Sequence, residues 1–472
     1  LKRFVDECHS RGIAVILDVV YNHAFGQSPL VQLYFDGSPT PESPWFNQAA
    51  THPFNVGFDF NHESPATKYF VKRVMRYWIE EFKVDGFRFD LSKGFTQVNN
   101  PNDVGAWGNY DASRIAILKD YADECWTVDP DFYVILEHFA NNIEEQELSD
   151  YGMMLWGNMH GAYTNTARGF ADNLLAVSYK VRGFDQPGLV HYMESHDEER
   201  LMYSALQSGN TSNQFHNVRD LMVALRRIEL NNAFFYTVPG PKMLWQFGEM
   251  GYDVTIDFNG RTGEKPIRWQ YLDEPDRARL QQVTTNLIHL RHSYEVFHTE
   301  DFDVNIGATS PYNKVKNIQL NSPDMNVYVM GNFDVFDIEN EPEFQHTGVW
   351  YEYFSGDSLE VTEANTAILL TPSEYRLYTD VKLEEPVGGY IQTTGVEEQQ
   401  LLDLLVQVHP NPVSNGTTVN TWLPATDQVR IDLLSLDGRQ LRTLFDGPSN
   451  GSVLALDLPR LATEGTYLLR FD

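Results

Sequence analysis

The sequence predicts an α/β protein, a parallel β-sheet interleaved with helices, followed by two antiparallel β modules. Three observations carry this. Over residues 1–297, short β-branched or aromatic runs alternate with longer segments whose apolar residues recur every three or four positions. Past 297 the period drops to two, with turn residues between the runs. A stretch of Gly, Glu, Thr and Gln over 383–402 reads as a linker before the last alternating segment.

The chain opens in LKRFVDECHSRG, a helix finishing at Gly12. IAVILDVV (13–20) suits a buried parallel strand. An irregular excursion rich in Pro, Gly, Ser and aromatics occupies 24–64. SPATKYFVKRVMRYWIEEF then begins with a Ser cap and a first-turn Pro, so it is a helix, and it leads into the strand VDGFRFD. A helix over 112–126, the strand FYVILEH (132–138), the strand-like YGMMLWGN (151–158) and a helical region near 168–180 follow. The strand LVHYMESHD (189–197), a helix over 213–231, the strand KMLWQFGE (242–249) and a helix over 276–293 complete the series. Six strands alternating with helices call for a parallel sheet. NVYVMGNFD, GVWYEYFSGDSLEV and EYRLYTD place an antiparallel β domain at 298–382. A β module spans 403–472, with a hairpin around Asp437-Gly438 and a closing strand in GTYLLRFD.

At 472 residues the chain is too long for one ordinary core. Its 35 Lys+Arg against 66 Asp+Glu give a net charge of −31, which argues against nucleic acid and anionic lipid as partners. No apolar run approaches the ~20 residues of a membrane span, so the chain reads as a globular protein. Cys8 and Cys125 lie in separate helical stretches far apart, which argues against a disulfide. Aromatic content is generous, as sugar-binding surfaces require, although aromatic cores account for most of it.

In FKVDGFRFDLSKGF, Arg88 and Asp90 stand two apart and share one face of a strand, as a buried ion pair or as half of an active site. Asp18 ends the first strand, with Tyr21, Asn22 and His23 after it. Glu137 ends another, and His196-Asp197 a third. Singly, each has a plain reading: a structural ion pair, a helix-start charge, a loop histidine, a capping pair. Their common position at carboxyl ends of strands is what argues for chemistry, since a parallel barrel gathers such positions on one rim.

DVVYNH (18–23), GFRFDLSKG (86–94), ILEHF (135–139) and ESHD (194–197) resemble, in order and spacing, the four short conserved regions of the α-amylase family of glycoside hydrolases. VGFDFNHESP (56–65) is similar to the extra region that family often carries. The resemblance covers about residues 1–380. It implies a (β/α)8 TIM-type barrel over 1–297 and a family-type β-sandwich after it. Eight strands close such a barrel and six are found, so the first two would precede residue 1. A chain truncated in this way would expose two parallel strand edges, with poor stability and little activity by itself.

The same resemblance implies Asp90 as nucleophile, Glu137 as general acid/base and Asp197 as the third carboxylate, which binds sugar hydroxyls. Arg88 would hold Asp90 ionised, because a neighbouring guanidinium lowers a carboxylate's pKa; a glutamate facing other carboxylates in a partly apolar site is pushed up instead. In a retaining enzyme the two working carboxyls stand about 5–5.5 Å apart. His23 and His196 match histidines that bind hydroxyls of the sugar being cleaved, Asp18 the residue ordering that wall, and Lys93 a lysine reaching the neighbouring sugar. Tyr21, Trp156 and Tyr192 are candidates for stacking on glucose rings, each with core packing as its plain alternative.

Departures are visible: Gly94 stands where the family often has histidine, and Leu136-Glu137 replaces a Gly-Glu opening. Family members often bind a structural calcium, to which Asn22 and Asp59 would contribute. Two ligands are fewer than the six to eight that calcium takes, and Asn22 reads equally as a turn residue. The implied substrate is an α-glucan polysaccharide or oligosaccharide, cleaved at α-1,4 bonds. Alternatives are a branching or debranching enzyme, or a non-catalytic glucan-binding relative. VHPNPVSNGTTV, LLSLDGRQL and LPRLATEGTYLLRFD resemble the C-terminal sorting domain of the bacterial type IX secretion system, with a generic β-sandwich module as the alternative. That resemblance implies contact with secretion machinery and an extracellular or cell-surface location.

Overall fold

The computed structural model describes residues 1–393 except 55, 309–313 and 363–366, and beyond 393 the strand segments 406–409, 418–422, 425–435, 440–450, 453–457 and 467–471. The chain divides into two compact units, residues 1–213 with 217–393, and residues 394–472 with 214–216.

Helix α1 (Lys2–His9) opens the first unit, and Gly12 follows at φ +69°. Strand β1 (Ile16–Val19) comes next. The excursion after it contains the two-residue ladder of β2 (His23–Ala24) with β3 (Phe58–Asp59), and between them one helical turn, α2 (Pro29–Gln32). Helix α3 (Pro65–Tyr77) starts as its sequence dictates: Ser64 Oγ accepts the Ala66 N–H at 3.2 Å, and Pro65 stands in the first turn. A π-turn over Trp78–Phe82 ends at Lys83 in the left-handed region and feeds β4 (Gly86–Phe89), buried throughout. Next come the turn α4 (Val104–Trp107) and helix α5 (Ala112–Val128), whose cap Asp111 accepts the N–H groups of Ser113 and Arg114. Then follow β5 (Tyr133–Leu136), α6 (Asn142–Asp150), β6 (Met154–Asn158), α7 (His160–Ala167), β7 (Leu189–Tyr192), α8 (Leu201–Ser208), α9 (Leu221–Thr237), β8 (Lys242–Met243) and α10 (Pro275–Ser293).

Strands β1, β4, β5, β6, β7 and β8 form one parallel sheet in that order, the six that the alternation predicts. Among the described residues β1 and β8 are its outer strands. Three elements differ from the sequence reading. The helix expected near 168–180 is α7, earlier in the chain; Gly169 at φ +79° follows it, and 175–177 makes only a 3₁₀ turn. The helix expected over 213–231 is α9, which starts at Leu221, and α8 before it was not expected. Helix α9 runs on to Thr237 because Phe234, Phe235 and Tyr236 are buried and prolong its packing. KMLWQFGE keeps only two ladder residues before the chain leaves the sheet.

The rest of this unit is antiparallel. Its strands are β9 (Phe302–Asn305), β10 (Val315–Leu320), β11 (Val327–Asn332), β12 (Ile338–Asn340), β13 (Gly348–Glu352), β14 (Ser358–Val361), β15 (Ile368–Leu370) and β16 (Tyr375–Thr379). Six of them form a sheet in the order β14-β13-β16-β11-β10-β9, and β12 pairs with β15, around a core that includes Tyr328, Met330, Phe344 and Trp350. Two buried cations tie this part to the helices of the parallel sheet. Arg227 on α9 donates to the carbonyls of Thr166, Phe333 and Asp334, and Lys316 donates to those of Asp172, Ile306 and Gly307. Carbonyl groups satisfy both charges without a carboxylate, so the two parts pack as one body.

In the second unit β17 (Val406–His409), β18 (Thr418–Trp422) and β21 (Val453–Asp457) make one antiparallel sheet. A second consists of β20 (Gln440–Asn450), β19 (Ala425–Ser435) and β22 (Tyr467–Phe471). Strands β19 and β20 are the hairpin predicted around Asp437-Gly438, whose turn lies outside the described residues, as does most of VHPNPVSNGTTV. Cys8 and Cys125 are free thiols. Among the described residues no helix is long and apolar enough to cross a membrane.

Candidate active site

Parallel register assembles the site. Asp18 on β1 lies directly beside Arg88 on β4. Asp90 and Glu137 continue their ladders past the strand ends: Asp90 N–H donates to Val19 O and Glu137 N–H to Phe89 O, both at 3.0 Å. Arg88, only 4% exposed, collects the three acids. Its Nη1 donates to Asp18 Oδ1 and to Asp90 Oδ1, each at 2.8 Å. Its Nη2 lies 2.9 Å from Glu137 Oε2, an ion pair off the hydrogen-bond direction. Behind the guanidinium the Trp156 ring stands 4.1 Å away, a cation–π support. Leu91 adopts φ +45°, which costs a non-glycine residue about 1 kcal/mol. That turn aims the Leu91 N–H at Glu137 Oε2, 2.9 Å distant.

The segment after β7 brings His196 and Asp197 to the same rim. Their side chains are 41% and 55% exposed, with His196 Nε2 3.5 Å from Asp197 Oδ2. The backbone beneath them is fastened on both sides. Ser195 Oγ accepts the Asp197 N–H at 3.1 Å, Arg261 donates to Asp197 O, and Glu198 accepts from Asn158 Nδ2 at 2.6 Å and from the Ser195 hydroxyl. Glu199 accepts the Ile256 N–H (2.9 Å) and the Thr255 hydroxyl (2.6 Å) from the loop after β8.

Burial pushes Glu137 above the ordinary carboxylate range. Arg88 and the Leu91 N–H oppose that shift, while Asp90 and Asp197 add to it. Asp197 is therefore within electrostatic reach of Glu137, and Asp90 and Glu137 sit on the two terminal nitrogens of one guanidinium. One carboxyl pushed above its ordinary range beside one hydrogen-bonded to a cation is the pairing that acid-assisted nucleophilic chemistry needs. His23 is buried, and burial holds its pKa below the usual value against the pull of Asp90, so its ring is neutral near neutral pH.

Four expected residues are placed differently from their assigned roles. Lys93 is 8% exposed; its Nζ donates to Phe139 O at 3.0 Å and lies 4.1 Å from the Trp107 ring, so its amine is engaged inside the protein rather than presented to a neighbouring sugar. Tyr21 and Tyr192 are buried, and Trp156 presents its face to Arg88, so none of the three offers an open stacking face. The packing alternative accounts for them.

Asn22 and Asp59, the implied calcium ligands, do come together. Asn22 Oδ1 and Asp59 Oδ1 are buried and lack hydrogen-bond donors, while Asp59 Oδ2 accepts from Asn47 and Thr51. Between them stands His52, its Nε2 3.4 Å from Asp59 Oδ1. A Cβ on residue 94 would fall 1.8 Å from Asn22 Oδ1 and 2.8 Å from His52 Nε2, which explains the glycine where the family often has histidine. Two free oxygens and one imidazole nitrogen do not fit the cage of six to eight oxygens that calcium takes. Among the described residues no cluster of three or more His, Cys, Asp or Glu could hold a metal ion.

Sequence reading missed His52, the Glu198 and Glu199 fastenings, and a buried group behind Glu137 made of Ser92, His138, Glu144 and Arg114. His138 next to Glu137, Glu198 and Glu199 after Asp197, and Ser92 two residues past Asp90 carried a local signal; His52, Glu144 and Arg114 did not.

No family model matches the chain. Over 147 residues it is 31% identical to a 1,4-alpha-glucan branching enzyme of Aliivibrio fischeri, covering 29% of this chain and 20% of that protein. Over 104 residues it is 38% identical to the chloroplastic isoamylase SU1 of Zea mays, covering 20% of this chain and 12% of that protein. The chain thus spans a fifth or less of these curated relatives in the matched regions. Among solved structures, an Anoxybacillus alpha-amylase superposes with a TM-score of 0.60 at 18% identity, over 81% of this chain and 79% of that one. The chain has the α-amylase-type fold.

Proposed function

We propose that this protein is a retaining glycosidase that cleaves α-1,4-glucosidic bonds of starch, glycogen or maltooligosaccharides. The observation that carries the reading is the grip of one buried guanidinium on Asp18, Asp90 and Glu137, with Asp197 within electrostatic reach of Glu137. Asp90 Oδ attacks the anomeric carbon as Glu137 delivers its proton to the departing glycosidic oxygen, leaving a covalent glycosyl-enzyme and a free sugar hydroxyl. Glu137, now ionised, takes a proton from water, whose oxygen displaces Asp90 and restores the resting state. Asp197 and His196, open to solvent, are positioned to bind sugar hydroxyls.

A second reading, glucan branching or debranching, uses the same residues and draws support from the sequence relatives, a branching enzyme and an isoamylase. In branching, a sugar hydroxyl replaces water in the second step. Incubation of the protein with amylose and with pullulan separates the readings. Hydrolysis raises reducing ends on amylose, branching lowers iodine colour without new reducing ends, and debranching releases reducing ends from pullulan. No change in any of these would leave a glucan-binding protein. Asp90→Asn is expected to abolish turnover. The C-terminal module supports export through a type IX-like route to the cell surface or beyond, which fits hydrolysis of external glucans; its deletion should retain the protein inside the cell.

A further inference from the structure

Directly behind Glu137 four side chains form a continuous buried network. Ser92 Oγ lies 2.9 Å from Glu137 O and 2.9 Å from His138 Nδ1. His138 Nε2 lies 2.8 Å from Glu144 Oε1, and Glu144 also accepts from Arg114 Nε (2.6 Å), Arg114 Nη2 (2.7 Å) and the Asp111 N–H (2.9 Å). Ser92, His138, Glu144 and Arg114 are each 0–1% exposed, so no substrate reaches them.

Residues 90–92 join this network to the chemistry. Asp90 supplies the proposed nucleophile, Leu91 N–H holds Glu137 Oε2, and Ser92 N–H holds Glu137 O (2.9 Å), with the Ser92 hydroxyl within donating distance of the same carbonyl and of His138 Nδ1. One three-residue segment thus carries the attacking group and grips the acid/base at its carboxyl and at its main chain. We propose that Ser92 and His138 are positioning residues that fix the separation of Asp90 and Glu137. The proposal rests on the glycosidase reading and names the groups that set its geometry.

Hydrogen counting supports it. Glu144 accepts four bonds, and the nearby charges and hydrogen bonds hold its carboxyl below the usual range against the effect of burial, so it is an anion and His138 must present N–H at Nε2. Burial keeps His138 below its usual pKa, so the ring is neutral and Nδ1 accepts. The single Ser92 hydroxyl proton then serves Glu137 O or Nδ1, one at a time, so the imidazole and the Glu137 carbonyl compete for it while the Ser92 N–H holds that carbonyl in either case. A plain buried ion pair of Arg114 with Glu144 needs neither the serine nor the histidine.

The test separates positioning from packing by the leaving group. A glucan's sugar leaving group needs the Glu137 proton, whereas fluoride departs without it. For Ser92→Ala, kcat/KM on amylose is expected to fall about tenfold while kcat/KM on α-maltosyl fluoride stays within about twofold. With the fluoride substrate the glycosyl-enzyme should accumulate and be visible by mass spectrometry, because the base that activates water is displaced. His138→Ala should give the same pattern, and His138→Gln, which can still bond both neighbours, should recover part of it. Equal losses on both substrates together with a lowered melting temperature, or no loss on either, would overturn the positioning role. If His138→Ala does not fold, Ser92→Ala, which removes one oxygen, decides alone. Full activity of Asp90→Asn would instead remove the glycosidase reading itself.

Discussion

Replacing Arg88 by Met tests the electrostatic core of the site. Methionine is close in length and carries no charge, so the substitution deletes two 2.8 Å hydrogen bonds and the 2.9 Å ion pair with little change of volume. Removing one partner of a buried ion pair costs about 3–5 kcal/mol. Here the Asp18 and Asp90 side chains are 55% and 24% exposed and regain water, so we expect about 2 kcal/mol of lost stability in urea unfolding. Activity should suffer more, because Asp90 loses the contact that aims it; a fall in kcat/KM of about a hundredfold is expected. The pH profile is the sharper readout. Glu137 acts as an acid only while protonated, so activity declines as pH rises through its pKa. Arg88 is the foremost influence holding that pKa down against burial. Without the cation the pKa rises further, and the alkaline limb of kcat/KM on a chromogenic maltooligosaccharide moves to higher pH by about one unit. An alkaline limb that stays in place, or moves down, would show that Arg88 and Glu137 are not coupled as described.

Gly94→Ala should destabilise by about 2 kcal/mol in urea melts, because the new methyl collides with Asn22 and His52; unchanged stability would mean that the His52 cluster is mispacked. Burial pushes Glu194 up to about 7, where it accepts the Leu201 N–H. The folded state therefore binds an extra proton between the unfolded and folded pKa values, and stability falls as pH rises from about 4.5 to about 7, by about 3 kcal/mol at most. In Glu194→Gln that slope should flatten across the same window, measured by urea unfolding at several pH values, and a persistent slope assigns it to other groups. Glu199→Ala cuts the tether from the Asp197 segment to Thr255 and Ile256. It should lower kcat/KM about tenfold with less than about 2 kcal/mol of stability lost, and equal kinetics would show that the tether does not position Asp197.

The six parallel strands were legible because period and composition are local properties. IAVILDVV, VDGFRFD and FYVILEH leave few alternatives for β-branched runs between amphipathic helices, and the observed order follows from joining neighbours through helical crossovers. The acids at the strand ends were legible for the same reason, since strand polarity fixes which end faces the rim. Helix α8 was not, and α9 was legible only without its bounds, because the run to Thr237 depends on burial of Phe234–Tyr236, which local pattern does not encode.

By itself, the sequence determined which residue types stand at the carboxyl ends of which strands, and so the kind of chemistry this surface can perform. Only tertiary structure decided who touches whom. It placed Arg88 against three carboxylates drawn from three strands, turned the Lys93 amine inward, filled the space beside Gly94 with His52 from a distant loop, and set Ser92 and His138 behind Glu137. Those outcomes depend on side-chain directions and on contacts between segments dozens of residues apart, which follow from packing a whole body at once.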